Sequence, residues 1–397
     1  MSFRKIVERI VESVFAISGW VASIVILLIV VFLFKEGSGL FNSNIIERGY
    51  VLCINSNNSV KELNTTQIKL LFDSEITNWN EVGGDDSDIM LFRLDDIFYY
   101  YDEEDFGEDY ELLPQKIGEV IANNAEIIAF IPEEYFPEDN ENVQLLNTGT
   151  HNLASFLTGK EWMPTATPAP LFGLLPLITG TLLVSFFAIL MALPFGLGVA
   201  IYLSEVATKR IHKTLKPMIE LLAGIPSVVY GFFGLVIIVP FVQQTFNLPV
   251  GETALAGSIV LAIMALPTII TIAEDSMRTT PKSIREASLA LGGTHWQTIY
   301  RVVIPNASSG IMAAVILGIG RAIGETMAVL MVTGNAAIIT ASLFSPVRTI
   351  PATIAAELGE APMGGGHYQA LFILGCILFI ITMLGSIAAE IIARKKK

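Results

Sequence analysis

Two opposite charges lie inside an apolar run in the C-terminal third of the chain, Arg321 and Glu325 within 308–333. A charge at bilayer mid-depth costs at least about 2.5–3.5 kcal/mol, so both side chains must face protein or water. Residues four apart share one face of a helix. A guanidinium is always charged and forks onto the oxygens of an oxyanion, so we expect Arg321 to meet an anion in transit and Glu325 to hold Arg321 in place. The alternative is a structural ion pair that sets subunit register.

Small residues surround this pair, which allows close helix approach and leaves room for a small passenger. They are Gly318, Gly320, Ala322, Gly324 and Ala328. An earlier apolar run could contribute to the same path, because Pro226 is expected to kink it and Ser227 and Tyr230 could line a pore. Carboxylates nearby receive a plainer interpretation. Glu220 is expected to cap the cytoplasmic end of a span with its head in water, and Glu274 and Asp275 are expected only to mark the end of the fourth span.

Composition makes these apolar runs membrane spans. Of 397 residues, 52% are hydrophobic and the mean hydropathy is +0.60, and several runs exceed the roughly 18 apolar residues that indicate a span. The first apolar run is too long for a cleavable signal peptide. A basic amphipathic helix at 3–14 is expected to lie in the membrane interface before it. Six spans are predicted, at about 14–34, 171–203, 217–242, 253–273, 308–333 and 368–393.

Basic residues alternate between loops, and this fixes the expected orientation. The loop between spans three and four has no Lys or Arg, and the loop between five and six has only Arg348. Both termini are therefore expected to be cytoplasmic, and residues 41–165 to be extracytoplasmic. The basic residues of the cytoplasmic set are Arg4, Lys5, Arg9, Lys209, Arg210, Lys213, Lys216, Arg278, Lys282, Arg285, Arg301 and Arg394 to Lys397.

The cytoplasmic loop at 281–305 is patterned rather than irregular. One helical stripe holds Ile284, Ala287, Ser288 and Leu291, and Arg285 and Glu286 lie off it. Gly292 and Gly293 predict a helix end, because glycine tolerates a positive φ. A second periodic run begins at Trp296 and is punctuated by Pro305. The loop is thus expected to be a short helix, a glycine turn and a second short helix, a rigid projection that another protein grips.

These loop residues carry a resemblance. Glu286-Ala287-Ser288, Gly292 and Ile304-Pro305 resemble the "EAA…G…I-LP" loop of permease subunits of binding-protein-dependent ABC importers, with Glu-Ala-Ser in place of Glu-Ala-Ala. In that family the loop is a coupling helix that docks into a groove on the cytosolic ATPase. The resemblance implies an ATPase coupling loop formed by Arg285, Glu286, Ala287, Ser288, Gly292 and Pro305.

Further segments resemble the PstC family of phosphate importer permeases, loosely over 1–40 and closely over 160–397. The matching runs begin at Trp162-Met-Pro164, Glu220-Leu-Leu-Ala-Gly-Ile-Pro226, Gly318-Ile-Gly-Arg321 and Gly334-Asn335. The resemblance implies an all-α type I importer permease of six transmembrane helices in the bacterial inner membrane. It implies a PstA-like sister permease, a PstB-like ATPase dimer, an extracytoplasmic PstS-like binding protein, and inorganic phosphate as the passenger. No P-loop pattern occurs, so ATP and Mg are expected on the partner ATPase, with no cofactor on this chain and no nucleic-acid partner.

An acidic block interrupts the membrane sequence. Residues 36–165 contain 26 acidic and 6 basic residues, against 12 acidic and 18 basic in the remainder. The block is too long for a plain loop. It is expected to be a small α+β unit with a helix capped by Asn64 or Thr65. Strands are predicted at 50–54, 89–92 and 127–131, and helices at 66–72 and 113–122. The domain boundaries follow as 1–40, an insertion at 41–165, and a permease core at 166–397.

Part of the insertion resembles periplasmic phosphate-binding proteins, from Thr66-Gln-Ile through Trp79 to Gly84. In those proteins an Arg-Asp-x-Gly-Ser-Gly-Thr run follows and holds phosphate. Here Arg93 is followed by Leu-Asp-Asp-Ile-Phe, so the phosphate site is expected to be lost. The block is interpreted as a degenerate docking or gating domain whose acidity could orient a binding protein that bears a basic patch. The alternative is a solvated spacer.

Other functions remain open at this level. Arg321 alone does not distinguish phosphate from sulfate or molybdate. A membrane receptor that reports phosphate status is a second alternative, although a receptor need not grip an ATPase. An enzyme is disfavoured, because His151, His212, His295 and His367 are scattered outside any catalytic or metal pattern. Cys53 and Cys376 lie in different contexts and predict no disulfide framework.

Overall fold

The computed structural model describes residues 3–394, with side chains from position 11 to 391 apart from residue 389. The basic side chains predicted at the two ends, Arg4, Lys5 and Arg9 and then Arg394 to Lys397, lie outside the described side chains. The chain divides into two compact units. The first comprises residues up to Gly37, Leu174–Ala361 and the chain from Leu371 onward. The second comprises Ser38–Gly173 and Pro362–Ala370.

Within residues 3–394, five helical segments are long and apolar enough to cross a membrane. They contain α1 (Phe3–Ser38), α5 (Leu175–Ile201), α7 (Ser227–Phe233) with α8 (Val239–Phe246), α9 (Ala254–Arg278) and α16 (Gly366–Arg394). A sixth span exists only if His295–Asn306 and Ser308–Gly324, which meet at an angle of 69°, count as one. The six-span prediction is thus met at five positions and by a bent segment at the sixth.

The predicted third span at 217–242 is wrong at its start. The helix α6 (Lys209–Ala223) ends before Gly224, and α7 begins after Pro226. A residue before proline is driven out of the α region, and proline lacks the N–H that a continuous helix needs. Pro226 therefore ends one helix and starts another, where the sequence predicted a kink. Tyr230 closes the break by donating from its hydroxyl to the carbonyl of Leu222 at 2.8 Å.

Small residues bring α5 and α9 together along the centre of the first unit. A Cβ added at Gly196 would lie 2.8 Å from Cγ2 of Ile269, so only glycine fits there. Ser258 donates from its hydroxyl to the carbonyls of Ala254 and Val184 at 2.7 and 3.2 Å, which joins the two helices. Close approach of this kind is what holds apolar helices together when lipid removes the hydrophobic driving force. The two helices form one tightly packed pair.

Beyond this pair, the first unit combines two long helices, α1 and α16, with helices that are shorter or interrupted. Three π-helical turns occur, at Tyr202–Val206, Gly234–Ile238 and Ile299–Val303. Helix α1 meets α16 through Phe32 and Phe372, whose rings lie edge to face with centroids 5.6 Å apart. The short helices are α10 (Lys282–Ala290), α11 (His295–Thr298), α12 (Ile304–Asn306), α13 (Ser308–Gly324), α14 (Met327–Val332) and α15 (Ile350–Glu357).

The second unit is built on a four-stranded sheet of order β2-β3-β1-β4. Its strands are β1 (Tyr50–Asn55), β2 (Met90–Arg93), β3 (Ile127–Pro132) and β4 (Val143–Leu145). Strand β1 pairs antiparallel with β3 and β4, and β2 pairs parallel with β3. A separate two-stranded pair joins β5 (Trp162–Met163) to β6 (Leu171–Phe172). The three predicted strands are present, each displaced by a residue at most.

Both faces of this sheet are buried, because successive side chains of a strand point to opposite sides. Leu52 and Ile54 of β1 enter one apolar cluster with Trp79, while Cys53 enters another with Ile117. The predicted helices are α2 (Thr65–Phe72) and α3 (Leu113–Asn123), and α4 (Leu153–Thr158) follows them. Asn64 caps α2 by accepting from the amide of Gln67 at 2.9 Å, as predicted.

Candidate coupling loop and substrate pathway

The loop at 281–305 forms the predicted helix, glycine turn and helix. Helix α10 ends at Ala290, and Gly292 has a φ of 84°, the left-handed conformation that favours glycine. Thr294 then caps α11 by accepting from the amide of Gln297 at 3.2 Å. Ser288 and Thr298 join the two helices through a hydroxyl contact of 2.9 Å. The motif is an ordered hairpin of two short helices.

Much of this hairpin's apolar surface is uncovered by its own chain. Leu291 is 90% exposed and Trp296 is 61% exposed. Ile284 and Leu289 are also exposed, as are Glu286 and Ala287. Exposed apolar side chains grouped on one projection mark an interaction surface. The predicted stripe is therefore an outward surface at Ile284, Ala287 and Leu291, while Ser288 packs within the hairpin.

Arg285 points the other way, toward its own chain. Its Nη1 donates to Oε2 of Glu205 at 2.9 Å, and its Nη2 donates to the carbonyl of Met277 at 2.8 Å. The Glu205 side chain is only 5% exposed. The sequence grouped Arg285 with the residues that grip a partner, but its guanidinium is occupied inside the subunit.

Arg321 lies among the spanning helices and is partly buried. Its Nη1 donates to Oγ1 of Thr268 on α9 at 3.2 Å. Tyr230 is buried and close enough to Arg321 to feel its charge. Helix α7, which carries Tyr230 and begins at Ser227, packs against α14 so closely that a Cβ on Gly231 would lie 3.0 Å from Cα of Ala328. The structure thus brings Arg321 and Tyr230 into one region.

The predicted pairing of Arg321 with Glu325 on one helical face is wrong. Helix α13 ends at Gly324, and Glu325 is extended with φ −71° and ψ 133°. Among the described side chains the two residues form no ion pair. Glu325 instead lies before α14, where its carboxylate accepts a long contact of 3.5 Å from the amide of Ala328. The helix break between Gly324 and Met327 therefore places Glu325 outside the helix that carries Arg321.

A buried cluster around Glu274 was missed from the sequence. The residue is fully buried, and its Oε1 lies 2.8 Å from Nε2 of His212 and 3.1 Å from Nη1 of Arg278. Lys216 lies 2.7 Å from Oε2 as an ion pair, although outside hydrogen-bonding geometry, and also pairs with Asp275. Three cationic or imidazole groups therefore surround one buried carboxylate. The interpretation of Glu274 as a simple end marker is wrong.

The cluster fastens α6 to α9. Burial lowers the pKa of Lys216, but its interactions with the carboxylates of Asp275 and Glu274 outweigh burial and leave the pKa above its usual value, so the ammonium stays charged. One signal was available in the sequence. His212 and Lys216 are four apart, as are Glu274 and Arg278, so each pair lies on one helical face. Glu220, by contrast, is exposed as predicted.

The second unit contains a cavity of about 410 Å³. Lys69, one of its lining residues, pairs with Asp73 at 2.9 Å and with Glu161 at 3.5 Å. Burial lowers the pKa of His151, another lining residue, to about 4, so its imidazole is neutral at physiological pH. Among the described residues of the whole chain, no group of three or more His, Cys, Asp or Glu is placed to hold a metal ion.

The spanning helices define a multi-pass membrane protein, and it carries a helical hairpin with exposed apolar side chains. Residues 192–397, just over half of the chain, match the family described as binding-protein-dependent transport system inner membrane component. The chain therefore belongs to this family. It is a permease of the ABC transporter class, a transport subunit whose ATPase is a separate partner.

Relatives are found in several bacteria. The probable ABC transporter permease protein YqgH of Bacillus subtilis is 42% identical, over 61% of this chain and 78% of the relative. The phosphate transport system permease protein PstC of Mesorhizobium japonicum is 42% identical, over 58% of this chain and 75% of the relative. Among solved structures, the inward-facing MetNI methionine ABC transporter is similar with a TM-score of 0.45 at 19% identity, over 56% of this chain and 96% of that chain.

Proposed function

We propose that this chain is the permease subunit that passes inorganic phosphate into the cell in an ABC importer. Relatives named phosphate transport system permease protein PstC are 35–42% identical to it. The observation that carries the proposal is Arg321, a partly buried cation held by Thr268 among spanning helices. Its second guanidinium nitrogen is available to fork onto an oxyanion.

The pathway is proposed to run past Arg321, Tyr230, Ser227 and Glu325. Gly320 and Gly324 lie near Arg321, and a Cβ added at either would meet no atom within 4 Å. Open space of this kind suits a small anion. Glu325, freed from the helix of Arg321, limits the positive charge of the region, so that the anion binds weakly enough to leave.

The exposed hairpin at 281–305 is proposed to dock on a separate ATPase, with Glu286, Leu291 and Trp296 as its outward residues. The ATPase supplies the ATP and Mg chemistry, and a PstA-like sister permease completes the pathway. Lys and Arg residues are concentrated in every second loop, and this supports an orientation with the termini and this hairpin in the cytoplasm. The insertion is then extracytoplasmic, where a PstS-like phosphate-binding protein can reach it.

The insertion is proposed to be a degenerate binding-protein-like domain that docks or orients the true binding protein. Where a phosphate-binding run would follow Arg93, the chain turns at Leu94–Tyr99, and Asp96 accepts from the amide of Arg93 at 2.7 Å. The Asp96 carboxylate thus already accepts from the Arg93 amide, which is no longer available to bind an anion. The block's strong acidity repels phosphate and attracts a basic patch on a partner.

The test is uptake of labelled phosphate by proteoliposomes that hold this chain with its co-purifying partners, with ATP inside and binding protein outside. Wild type is expected to import phosphate, and excess unlabelled phosphate but not sulfate is expected to compete. Arg321→Ala is expected to lower uptake at least about tenfold, the factor for 1.4 kcal/mol. Arg321→Lys keeps the charge but loses the fork, and it is expected to lose most uptake while the complex still assembles.

Other results assign the chain elsewhere. Competition by sulfate or molybdate in place of phosphate would make it a permease for that anion. Binding of the ATPase without uptake of any oxyanion would favour a receptor of phosphate status. Near-normal uptake by Arg321→Ala would remove Arg321 from the pathway.

A further inference from the structure

Arg285 bridges three elements that meet at one end of the first unit. It starts on the hairpin helix α10, and its guanidinium binds Glu205 on the π-helical turn Tyr202–Val206 at the end of α5. The same guanidinium binds the carbonyl of Met277 in the last turn of α9. The Met277 carbonyl also accepts from the amide of Thr280 at 3.2 Å, so Arg285 is a second donor to it. A cation at the C-terminal end of a helix interacts favourably with the helix dipole.

The bridge is too well enclosed to be an ordinary surface ion pair. The Glu205 side chain is 5% exposed and that of Arg285 is 23% exposed, and Glu205 also accepts from the hydroxyl of Ser204 at 2.9 Å. Removing one partner of such a pair leaves the other buried without compensation. Its position between helices fixes where α10 can lie relative to α5 and α9.

A second arginine also donates a hydrogen bond to helix α9. Thr268, nine residues before Met277, binds Arg321. At 1.5 Å per residue the two positions are about 13 Å apart along the helix. The stretch from Thr268 to Met277 contains neither proline nor glycine, and Ile269 of this stretch packs against Gly196 of α5. One stiff segment thus holds Arg285 at one end and Arg321 at the other.

We infer that Arg285 is a positioning residue that transmits movement of the hairpin, through Glu205 and the end of α9, to the region of Arg321. The inference rests on the proposed function, in which the hairpin docks on an ATPase. The outward residues Glu286, Leu291 and Trp296 contact the partner. Arg285 transmits the displacement of the hairpin to α5 and α9. Docking and transmission therefore depend on different side chains, although Arg285 and Glu286 are adjacent in sequence.

The experiment compares Arg285→Gln, Glu205→Gln and the double variant in the assembled complex. Three quantities are measured for each: ATPase retained on purification, ATP hydrolysed, and phosphate imported per ATP. Arg285→Gln is expected to keep the ATPase within about twofold and to lower phosphate per ATP at least about tenfold. The double variant is expected to be no worse than either single one, because one interaction is removed in all three.

Two further variants separate this role from others. Arg210→Gln removes an exposed cation of helix α6, outside the hairpin, and it is expected to leave phosphate per ATP unchanged. Glu286→Gln is expected to lose bound ATPase instead. Arg285→Lys can still pair with Glu205 but not reach Met277 at the same time, so it is expected to recover part of the coupling.

Several outcomes overturn the inference. Unchanged phosphate per ATP in Arg285→Gln would do so, as would ATPase loss in proportion to uptake, which would place Arg285 at the docking surface. Failure of both Arg285→Gln and Arg285→Lys to fold would assign the bridge to stability alone. A wild-type complex that hydrolyses ATP without importing phosphate would contradict the proposed function, and it is recognised before any variant is compared.

Discussion

At the scale of single residues, the charges that organise this protein are those with partners far away in sequence. Glu274 contacts His212 and Lys216 of α6, and Glu205 forms an ion pair with Arg285 of α10. Each contact joins helices that lie dozens of residues apart in the chain. Spacing within one helix indicates which side chains share a face, but not which face another helix will meet.

Glu274→Gln tests the buried cluster. It leaves Lys216 and Arg278 without a buried counter-charge, so the free energy of unfolding is expected to fall by about 3 kcal/mol. The measurement is thermal unfolding of the purified chain in detergent. Asp275→Asn is the matched control, because the Asp275 side chain is 59% exposed and its pairing contributes under about 1 kcal/mol. Equal shifts in both variants would show that Glu274 has no special role.

Predictions for single residues were confirmed where the local backbone conformation determines which residue type is favoured. Gly292 takes the positive φ expected of a helix end, and Asn64 caps α2. The predicted position of Glu325 was wrong, because residues four apart share a face only in a continuous helix, and α13 ends at Gly324. Three glycines at 318, 320 and 324 lower the helix propensity of that run, and this was the available warning.

At the scale of elements, helix ends in the first unit coincide with the segments that are proposed to line the pathway or to dock on the ATPase. The break at 224–226 precedes Ser227, the end of α13 precedes Glu325, and the turn at Gly292 separates the two hairpin helices. Apolar content predicted where the spans are, and the structure places five there. It did not predict their breaks, because hydropathy averages over a window that a single glycine or extended residue hardly changes.

Gly292→Ala tests the hairpin turn as an element. A Cβ at this position would meet no atom within 4 Å, so the cost is conformational and amounts to roughly 1–2 kcal/mol. The turn between α10 and α11 is expected to open, and ATPase retained on purification is expected to fall about three- to tenfold.

Gly198→Ala is the control for that variant. It also has no atom within 4 Å of the added Cβ, but it lies inside helix α5, where alanine is expected to be neutral or to stabilise by up to about 1 kcal/mol. Retention of the ATPase by Gly292→Ala at the level of Gly198→Ala would show that the turn geometry does not serve docking.

At the scale of the molecule, two distant segments of the insertion meet inside the second unit. Asn44 and Thr150 form an isolated β-bridge, so their backbones are adjacent. The sheet of this unit was largely predictable, since short continuous apolar runs are local signals of strands that are buried on both faces. The α4 helix and the pair of β5 with β6 were not, because short elements rest on contacts made elsewhere in the unit.

Replacing residues 45–149 by a short Gly-Ser linker tests the role of the insertion. Because Asn44 and Thr150 are already paired, the first unit is expected to fold and to keep its ATPase. If the acidic surface orients the binding protein, the KM for binding protein is expected to rise several-fold at low salt and less at high salt, where screening weakens steering. The readout is phosphate uptake against binding-protein concentration at two salt concentrations. Unchanged kinetics would identify a spacer.

The second unit also includes Pro362–Ala370, a segment that contains the first residues of the last spanning helix, α16. His367 stacks on Phe172 there, with ring centroids 6.5 Å apart. During synthesis the ribosome makes these residues after nearly the whole membrane core, and chains emerge at about 5–20 residues per second. Phe172 can pack early against His151 and Trp162, but its contact with His367 forms roughly ten seconds or more later. The second unit can therefore be completed only after most of the first unit has been synthesised.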